Sequence, residues 1–474
     1  MRGKLILVLL GGCALSACSM TPAYKVPQTP PVAAYKEQGV WALGTPQDTL
    51  PRGDWWQVYN DATLNDLEAR LNSDNPTLAQ AVARYDASRA YLVEVGAGAL
   101  PDVGLGGHAD DDRQSANRPL RSANQPTYYG DDAVYGSVSW DVDLWGRVRS
   151  AVAAGRADAQ AQAADLASIR LSLQAQLADT YFSLRGLDAE TALLKNAIAI
   201  YQKALDATDA RHDKGVASGL DVDRAQSHLK DADAQLSDVL GRRAVLEHAI
   251  ASLTGQVASN VSIAPQTADF RVPNLPPALP SVLLQRRPDV AAAERRVAAA
   301  NEGIGVARAA FYPDLNLAAM AGYQNTGNGD LLTAPNSVWA VGPSLAMTIF
   351  DGGRLKAQLA IAKAGESEAA AAYRASVLRA FQEVEDNLAL LNRLSDEANS
   401  EDASVKAALH SQDMALALYK NGALGFLDVV VAQTTALQAQ QSALSIETRR
   451  LQASVGLIRA SGGGWSTADL PAKS

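Results

Sequence analysis

The sequence predicts an α+β membrane protein. Each chain supplies four amphipathic β-strands to a twelve-stranded barrel shared by a trimer, and that β-barrel is continuous with a barrel of long α-helices. Three observations carry this reading: an internal two-fold repeat, two very long proline-free stretches, and four segments in which apolar and polar residues alternate.

The repeat is read from displaced motifs. Pro76 and Pro101 recur as Pro288 and Pro313, 212 positions on. Gly215 with Leu220-Asp221-Val222 recurs as Gly422 with Leu427-Asp428-Val429, and Trp145-Gly146-Arg147 as Gly352-Gly353-Arg354, now 207 positions on. The second half is therefore shorter by five residues between Pro313 and Gly352. Such a unit cannot bury its apolar surface alone and must pair with others. A duplicated unit without a duplicated catalytic cluster points to a scaffold or conduit.

Arg2 and Lys4 precede an apolar run from Leu5 to Ala14 that closes on Leu15-Ser16-Ala17-Cys18. Residues 1–17 thus read as a signal peptide, too short to span a bilayer permanently. The Leu-Ser-Ala-Cys ending resembles the bacterial lipobox. That resemblance implies a covalent diacylglycerol and a fatty acid on Cys18, and makes 18–75 a lipidated N-terminal segment with equatorial elements. Cys13 lies in the signal, so the mature chain has no second cysteine and no disulfide.

The first repeat is placed at 76–255 and the second at 288–462, with an equatorial linker at 256–287 and a tail at 463–474. Within the first, Val134, Val138, Trp140, Val142 and Leu144 alternate with Ser137, Ser139, Asp141 and Asp143, the period of a strand with one wet face. In the second, Trp339, Val341, Leu345, Met347 and Ile349 alternate with Gly342, Ser344, Ala346 and Thr348, the parity change that an odd displacement demands. Pro343 lacks a ladder donor and belongs at a bulge or an edge. Val103, Leu105 and Ala109, and then Leu315, Leu317, Ala319, Ala321 and Tyr323, mark the partner strands. Two β-hairpins are expected, at 101–145 and 313–351, with tips in the polar stretches 110–127 and 325–336. Asp110, Asp111 and Asp112 read as solvated charges of the first tip rather than a cation site.

No proline occurs between Gly146 and Ala264 or between Ser344 and Leu470. Long helices are expected from Arg147 to about Asp213 and from Arg354 to about Lys420, each ~100 Å at 1.5 Å per residue. Abundant Ala and Ser would let neighbouring helices approach closely. Glycine-bearing tips at 214–220 and 421–427 each lead into a return helix, which Asp221 and Asp428 would cap. Pro288 would open a helix, with Asp289 in its first turn to complement the dipole, so Arg286, Arg287 and Asp289 are read as structural. Gly462 to Gly464 terminate a helix; no Lys-Ser/Thr follows, so they are not a phosphate loop.

Composition excludes several classes. A net charge of −9 and a pI near 5.2 argue against nucleic acid. The five histidines lack metal-ligand spacing, no cofactor is implied, and Gly-x-Ser-x-Gly, His-Glu-x-x-His and nucleotide-loop signatures are absent, which argues against an enzyme. No segment after the signal approaches the ~18 apolar residues of a membrane helix, so a bilayer would be crossed with strands. Four strands cannot close a transmembrane barrel, for which about eight are the minimum, and an open edge is forbidden in lipid. Three chains sharing twelve strands is the symmetric solution.

The block Leu283-Leu284-Gln285-Arg286-Arg287-Pro288-Asp289-Val290, running on through Ala293-Glu294 to Ile304-Gly305-Val306-Ala307-Arg308-Ala309-Ala310-Phe311-Tyr312-Pro313, resembles the outer membrane factor family, the TolC-like proteins, in its NodT-type efflux lipoprotein branch. Asp54-Trp55-Trp56, the turns at Leu144 to Arg147 and Phe350 to Arg354, and Gly462-Gly463-Gly464-Trp465 also fit, so the resemblance covers Cys18 to Trp465. It implies a homotrimeric exit duct in the bacterial outer membrane, lipid-anchored and extending into the periplasm. Its partners would be a periplasmic membrane-fusion adaptor, a proton-driven inner-membrane pump and outer-membrane lipid. The hairpin tips would then meet the adaptor through Gly215, Val216, Gly219, Leu220, Gly422, Leu424, Gly425 and Phe426. Leu427 and Asp428 would form a periplasmic gate, with Asp221 and Tyr419 as further members; some relatives carry a carboxylate one turn later, where this chain has Val431. The competing reading is a lipid-anchored periplasmic coiled-coil spacer without channel activity, which leaves the four strand candidates unexplained.

Overall fold

The computed structural model describes residues 20–29, 35–37, 53–117, 122, 124–266, 272–273, 286–327 and 329–471. Cys18 lies outside the described residues. In chain order the elements are α1 (Ala62–Asp74), α2 (Pro76–Ala97), β1 (Asp102–Arg113), β2 (Tyr128–Asp141), α3 (Arg147–His212), α4 (Gly219–Leu253), α5 (Pro288–Ala309), β3 (Asp314–Asn325), β4 (Ser337–Ala346), α6 (Arg354–Lys420) and α7 (Phe426–Ala460). Two compact units are present: one holds 1–28, 85–162 and 293–373, the other 29–84, 163–292 and 374–474.

The duplication survives element by element. α2 and α5 have 22 residues each, β1 and β3 have 12, and α4 and α7 have 35. The long helices α3 and α6 have 66 and 67. Part of the length difference lies in the hairpin tips, 114–127 in the first repeat against the shorter 326–336 in the second. Pro288 is the first residue of α5, and α7 stops where Gly462, Gly463 and Gly464 take positive φ.

The first unit contains one antiparallel sheet in the order β1-β2-β3-β4, with β1 and β4 at its edges. Pro343 sits in edge strand β4, opposite Leu317, as the sequence leads one to expect of a residue without a ladder donor. One expectation needs correction. Asp110, Asp111 and Asp112 are not in the hairpin tip but in β1, paired with Asp131, Gly130 and Tyr129. The backbone ladder to β2 continues past the point where side-chain polarity suggested a loop, because ladder hydrogen bonds do not depend on side chains.

The second unit packs helix on helix through small residues. Ala178, Ala380, Ala436 and Ala460 are buried, and a Cβ on Gly186 would stand 2.6 Å from Thr448 Oγ1. Trp55 and Trp56 are buried, and Trp55 Nε1 donates to Gln174 Oε1 at 3.3 Å. Asp61 caps α1 by accepting from Thr63 and Leu64 N–H, and also accepts from the Tyr181 hydroxyl at 2.6 Å. Arg185 and Arg243 converge on buried Asp188 at 2.7 and 2.6 Å, and both donate to the backbone that follows α4, at Ala264 and Ile263. The buried charges in this arrangement are paired, and removing one partner strands the others. Arg287 is likewise a structural residue: it is buried, holds Asp289 and Glu383, and donates to Ala460 O at the end of α7.

Candidate functional site

The sheet has two chemically different faces, and its register assigns them. Directly opposed residues of an antiparallel sheet share a face. Val103, Val138, Ala319 and Val341 form one row; Leu105, Gly136, Ala321 and Trp339 form the next; Trp140, Leu317 and Pro343 form a third; Leu315 meets Leu345. The other face carries Asp102, Ser139, Asp141, Asn316 and Ser344, where Asn316 Nδ2 donates to Ser139 Oγ at 3.0 Å and Asp141 Oδ1 at 2.7 Å. The apolar face is open: Leu105 is 84% exposed, Trp339 76% and Val103 75%. The eight steps from Leu315 to Tyr323 cover ~27 Å along the strand. Among the described residues no helix is long and apolar enough to cross a membrane.

Where strands meet helices, the turn chemistry is repeated. Gly146 and its counterpart Gly353 have φ of 77° and 95°, left-handed values that a Cβ disfavours. An aspartate caps each long helix: Asp143 accepts from Val148 and Arg149 N–H, and Asp351 from Leu355 and Gly353 N–H. Those N–H bonds, that of Leu355 foremost, hold the Asp351 carboxyl below its ordinary range. Trp145 stacks on Tyr312 at 4.7 Å, and its Nε1 donates to Pro313 O at 2.9 Å.

The two hairpin tips are built alike. In the first, Gly215 N–H donates to His212 O and Val216 N–H to Arg211 O; in the second, Gly422 N–H donates to Tyr419 O and Ala423 N–H to Leu418 O. This pair of bonds terminates a helix on a left-handed residue, and Gly215 and Gly422 both have φ of 74°. The tips differ at their exits. Ser218 caps α4 and forms a reciprocal box with Asp221, whereas Gly425 precedes α7 with no side-chain cap although Asp428 occupies the same place. Asp221 and Asp428 are thus acids at the third position of the first turn, not the caps expected from sequence, because the residue three before each already occupies the cap.

Between the tips lies a small core of Ala204, Ala225, Tyr419, Phe426 and Val429. The Tyr419 hydroxyl lies 3.1 Å from Thr208 Oγ1, Arg211 covers its ring at 4.7 Å, and Arg211 Nη1 donates to Tyr419 O at 2.7 Å. Tyr419 and Phe426 therefore fasten one hairpin to the other, and Phe426, expected on a docking surface, is only 3% exposed. Its neighbours Leu427 and Asp428 point outward, as do Gly215, Val216, Gly219, Leu220, Gly422 and Gly425, with Leu424 half-buried.

Two carboxyls of the second unit stand apart. Glu68 in α1 is fully buried with neither oxygen hydrogen-bonded, and burial pushes it up to about 9. Burial pushes Asp179 up to about 7, against the pull of Arg459.

The profile of the family described as outer membrane efflux protein matches residues 68–256 and 279–463, one segment per repeat. The chain belongs to the outer membrane efflux protein family. It is 31% identical over 460 residues to the toluene efflux pump outer membrane protein TtgF of Pseudomonas putida, covering 95% of each chain. It is 30% identical over 466 residues to the pyoverdine export outer membrane protein OpmQ of the same species, covering 97% of each. The solved outer-membrane channel OprN superposes with a TM-score of 0.86 at 28% identity, covering 94% of this chain and all of that one. The protein is an outer-membrane efflux component, and its work is passage rather than catalysis. Among the described residues no group of His, Cys, Asp and Glu is placed to hold a metal ion.

Sequence reasoning missed Ser218, although Ser-x-x-Asp before a helical run is a capping signature. It missed Thr208 and Arg211 for a different reason. Their role appears only when α3 lies beside α6, and no local pattern marks it.

Proposed function

We propose that three copies of this chain close a twelve-stranded barrel in the outer membrane and continue as an α-helical duct into the periplasm. The observation that carries this reading is the open apolar face on a four-stranded sheet whose edges, β1 and β4, have no partner strand among the described residues. In lipid those edge groups must be bonded, and neighbouring copies supply the missing strands. The duct would receive its cargo from an inner-membrane pump through a periplasmic adaptor. Toluene and pyoverdine differ greatly in size and polarity, yet the relatives named for them resemble this chain equally, so the pump selects cargo and the duct conducts it.

Within that assembly Cys18 carries the lipid anchor. The exposed tip residues Gly215, Val216, Gly219, Leu220, Gly422 and Gly425, with half-buried Leu424, meet the adaptor. Leu427 and Asp428, exposed side by side at the start of α7, narrow the periplasmic end as an apolar ring beside a carboxylate ring that favours cations. Tyr419 acts from within the protomer, through Thr208 and Arg211, and Asp221 through its box with Ser218. Planar-bilayer recording tests the reading: the purified protein should give discrete ion conductance, and a spacer would give none.

A further inference from the structure

A few turns from the tips, an apolar core joins α3, α4 and α7 through Leu194, Leu229, Val239 and Leu437, and Tyr201 belongs to it. Polar groups interrupt it. The His228 ring lies against the Tyr201 ring, with centroids 4.1 Å and planes 33° apart, and the Tyr201 hydroxyl donates to Gln433 O at 3.4 Å. His228 Nε2 is buried without a hydrogen-bond partner among the described residues, and so are Oε1 and Nε2 of Gln433, a residue only 1% exposed. A helix crossing that leaves three buried polar atoms unbonded is costly to hold, and each of them gains when water or a new partner reaches it.

The cluster has no counterpart in the second repeat. The positions 207 after Tyr201 and His228 are Ala408 and Thr435, and the position 207 before Gln433 is Gln226. Ala408 is buried among small residues with Ala436 and Ala439, Thr435 is exposed and donates to Val431 O on its own helix, and Gln226 is exposed. The equivalent contact is therefore aliphatic, whereas the first repeat relies on a ring stack that a proton can alter.

Little charge surrounds His228. On α4, Arg224 is engaged with Asp221 at 3.6 Å, and Asp231, three residues on, is the acid that pulls on the ring. From α3 the ring meets the phenol of Tyr201, which burial pushes up to about 12, while Lys203 and Asp206 are exposed to solvent. α7 carries no charged residue between Asp428 and Glu447. Burial prevails over Asp231 and holds the imidazole below the ordinary histidine range. An arrangement that disfavours the proton is itself disfavoured by it. The crossing thus has its full stability above pH ~6.5 and loses it as pH falls further, by up to about tenfold in population per pH unit.

We propose that Tyr201, His228 and Gln433 form an acid-operated joint: a proton taken up on His228 breaks the ring stack, draws the imidazolium out toward Asp231 and water, and frees the α3–α4 tip from α7. The periplasmic end then loosens as its surroundings acidify. The proposal deepens the reading of the tips as the periplasmic end of a duct and rests on it.

The test uses the full-length protein in lipid nanodiscs, with a nitroxide on Val216→Cys at the first tip, where the side chain is 65% exposed. Between pH 7.5 and 5.5, a window above the ordinary carboxylate range, the mobile fraction of its spectrum should rise several-fold. His228→Phe keeps a ring for the stack and binds no proton, so its spectrum should not change with pH; His228→Gln, smaller and equally unable to take a proton, should behave the same way. His212→Gln removes the imidazole at the tip itself, whose Nδ1 lies 2.9 Å from Ala217 O, and should leave the rise intact. A flat wild-type spectrum, an equal rise in both His228 variants, or loss of the rise in His212→Gln overturns the joint. Planar-bilayer conductance of the same preparations separates the two readings: no conductance at either pH contradicts the duct, whereas conductance with a pH-independent nitroxide contradicts the joint alone.

Discussion

Replacing Gly425 by Ser would give the second hairpin the cap that the first already has. Gly425 has φ −77° and ψ 160°, Ser218 has φ −78° and ψ 153°, so the backbone already fits. The nearest atom to a Cβ there is Asp428 Oδ2 at 3.6 Å, ordinary contact distance. In the first repeat Ser218 Oγ accepts from Asp221 N–H at 3.2 Å, and Asp221 Oδ2 accepts from Ser218 N–H at 3.3 Å. Ser in place of Gly at a cap, with the lost freedom of the glycine, is worth about 0.5 kcal/mol. Three chains lining one passage would contribute about 1.5 kcal/mol, roughly tenfold in the ratio of closed to open. That increment acts on opening only if opening disturbs the first turn of α7. Single-channel recording should show Gly425→Ser with about tenfold lower open probability at unchanged unit conductance, and Ser218→Gly with a smaller opposite effect. An unchanged open probability in a variant whose thermal stability has risen would show that the first turn of α7 stays intact during opening.

Leu427→Ala should raise unit conductance and Asp428→Asn should reduce cation selectivity, since Asn keeps the shape and loses the charge; reversal potentials in a salt gradient decide the second. Glu68→Gln tests the buried carboxyl. A folded-state pKa of about 9 favours the protonated form, so stability falls as pH rises from the unfolded carboxylate range toward 9, by about 1.4 kcal/mol per pH unit. The variant should match wild type near pH 4.5, gain about 3 kcal/mol by pH 7, and show a flatter denaturation midpoint against pH; a variant less stable than wild type at pH 8 would refute the burial argument. Arg287→Ala should cost about 3–5 kcal/mol, because Asp289, Glu383 and the Ala460 carbonyl lose their shared partner; a midpoint shift in guanidinium below a third of that would contradict it.

The long helices and their tips were legible because helix breakers are local: Gly146, Gly215 and their counterparts mark turns whose left-handed φ only glycine adopts readily. The strand phase was legible for the same reason, since period two is written in consecutive residues. The end of β1 was not, because Asp110 to Asp112 are held by a ladder to β2 that polarity does not announce. The burial of Tyr419 and Phe426 was illegible in a further sense. Each lies in a short stretch beside a turn, and only the pairing of α3 and α4 with α6 and α7 decides that they face inward while Leu427 faces out. The hydrogen bonds that Asn301 and Arg308 of α5 give to Pro22 O and Met20 O cross 279 and 288 residues, which no window detects.

The claim that three chains share one barrel is tested most directly by the mass of the detergent-extracted protein. Native mass spectrometry should give a particle of three chains, with no folded species of one chain at any concentration at which strand content persists. A monodisperse single chain that retains its β-sheet signal in circular dichroism would contradict the shared barrel, because its two sheet edges would then be stable in an apolar medium without a partner.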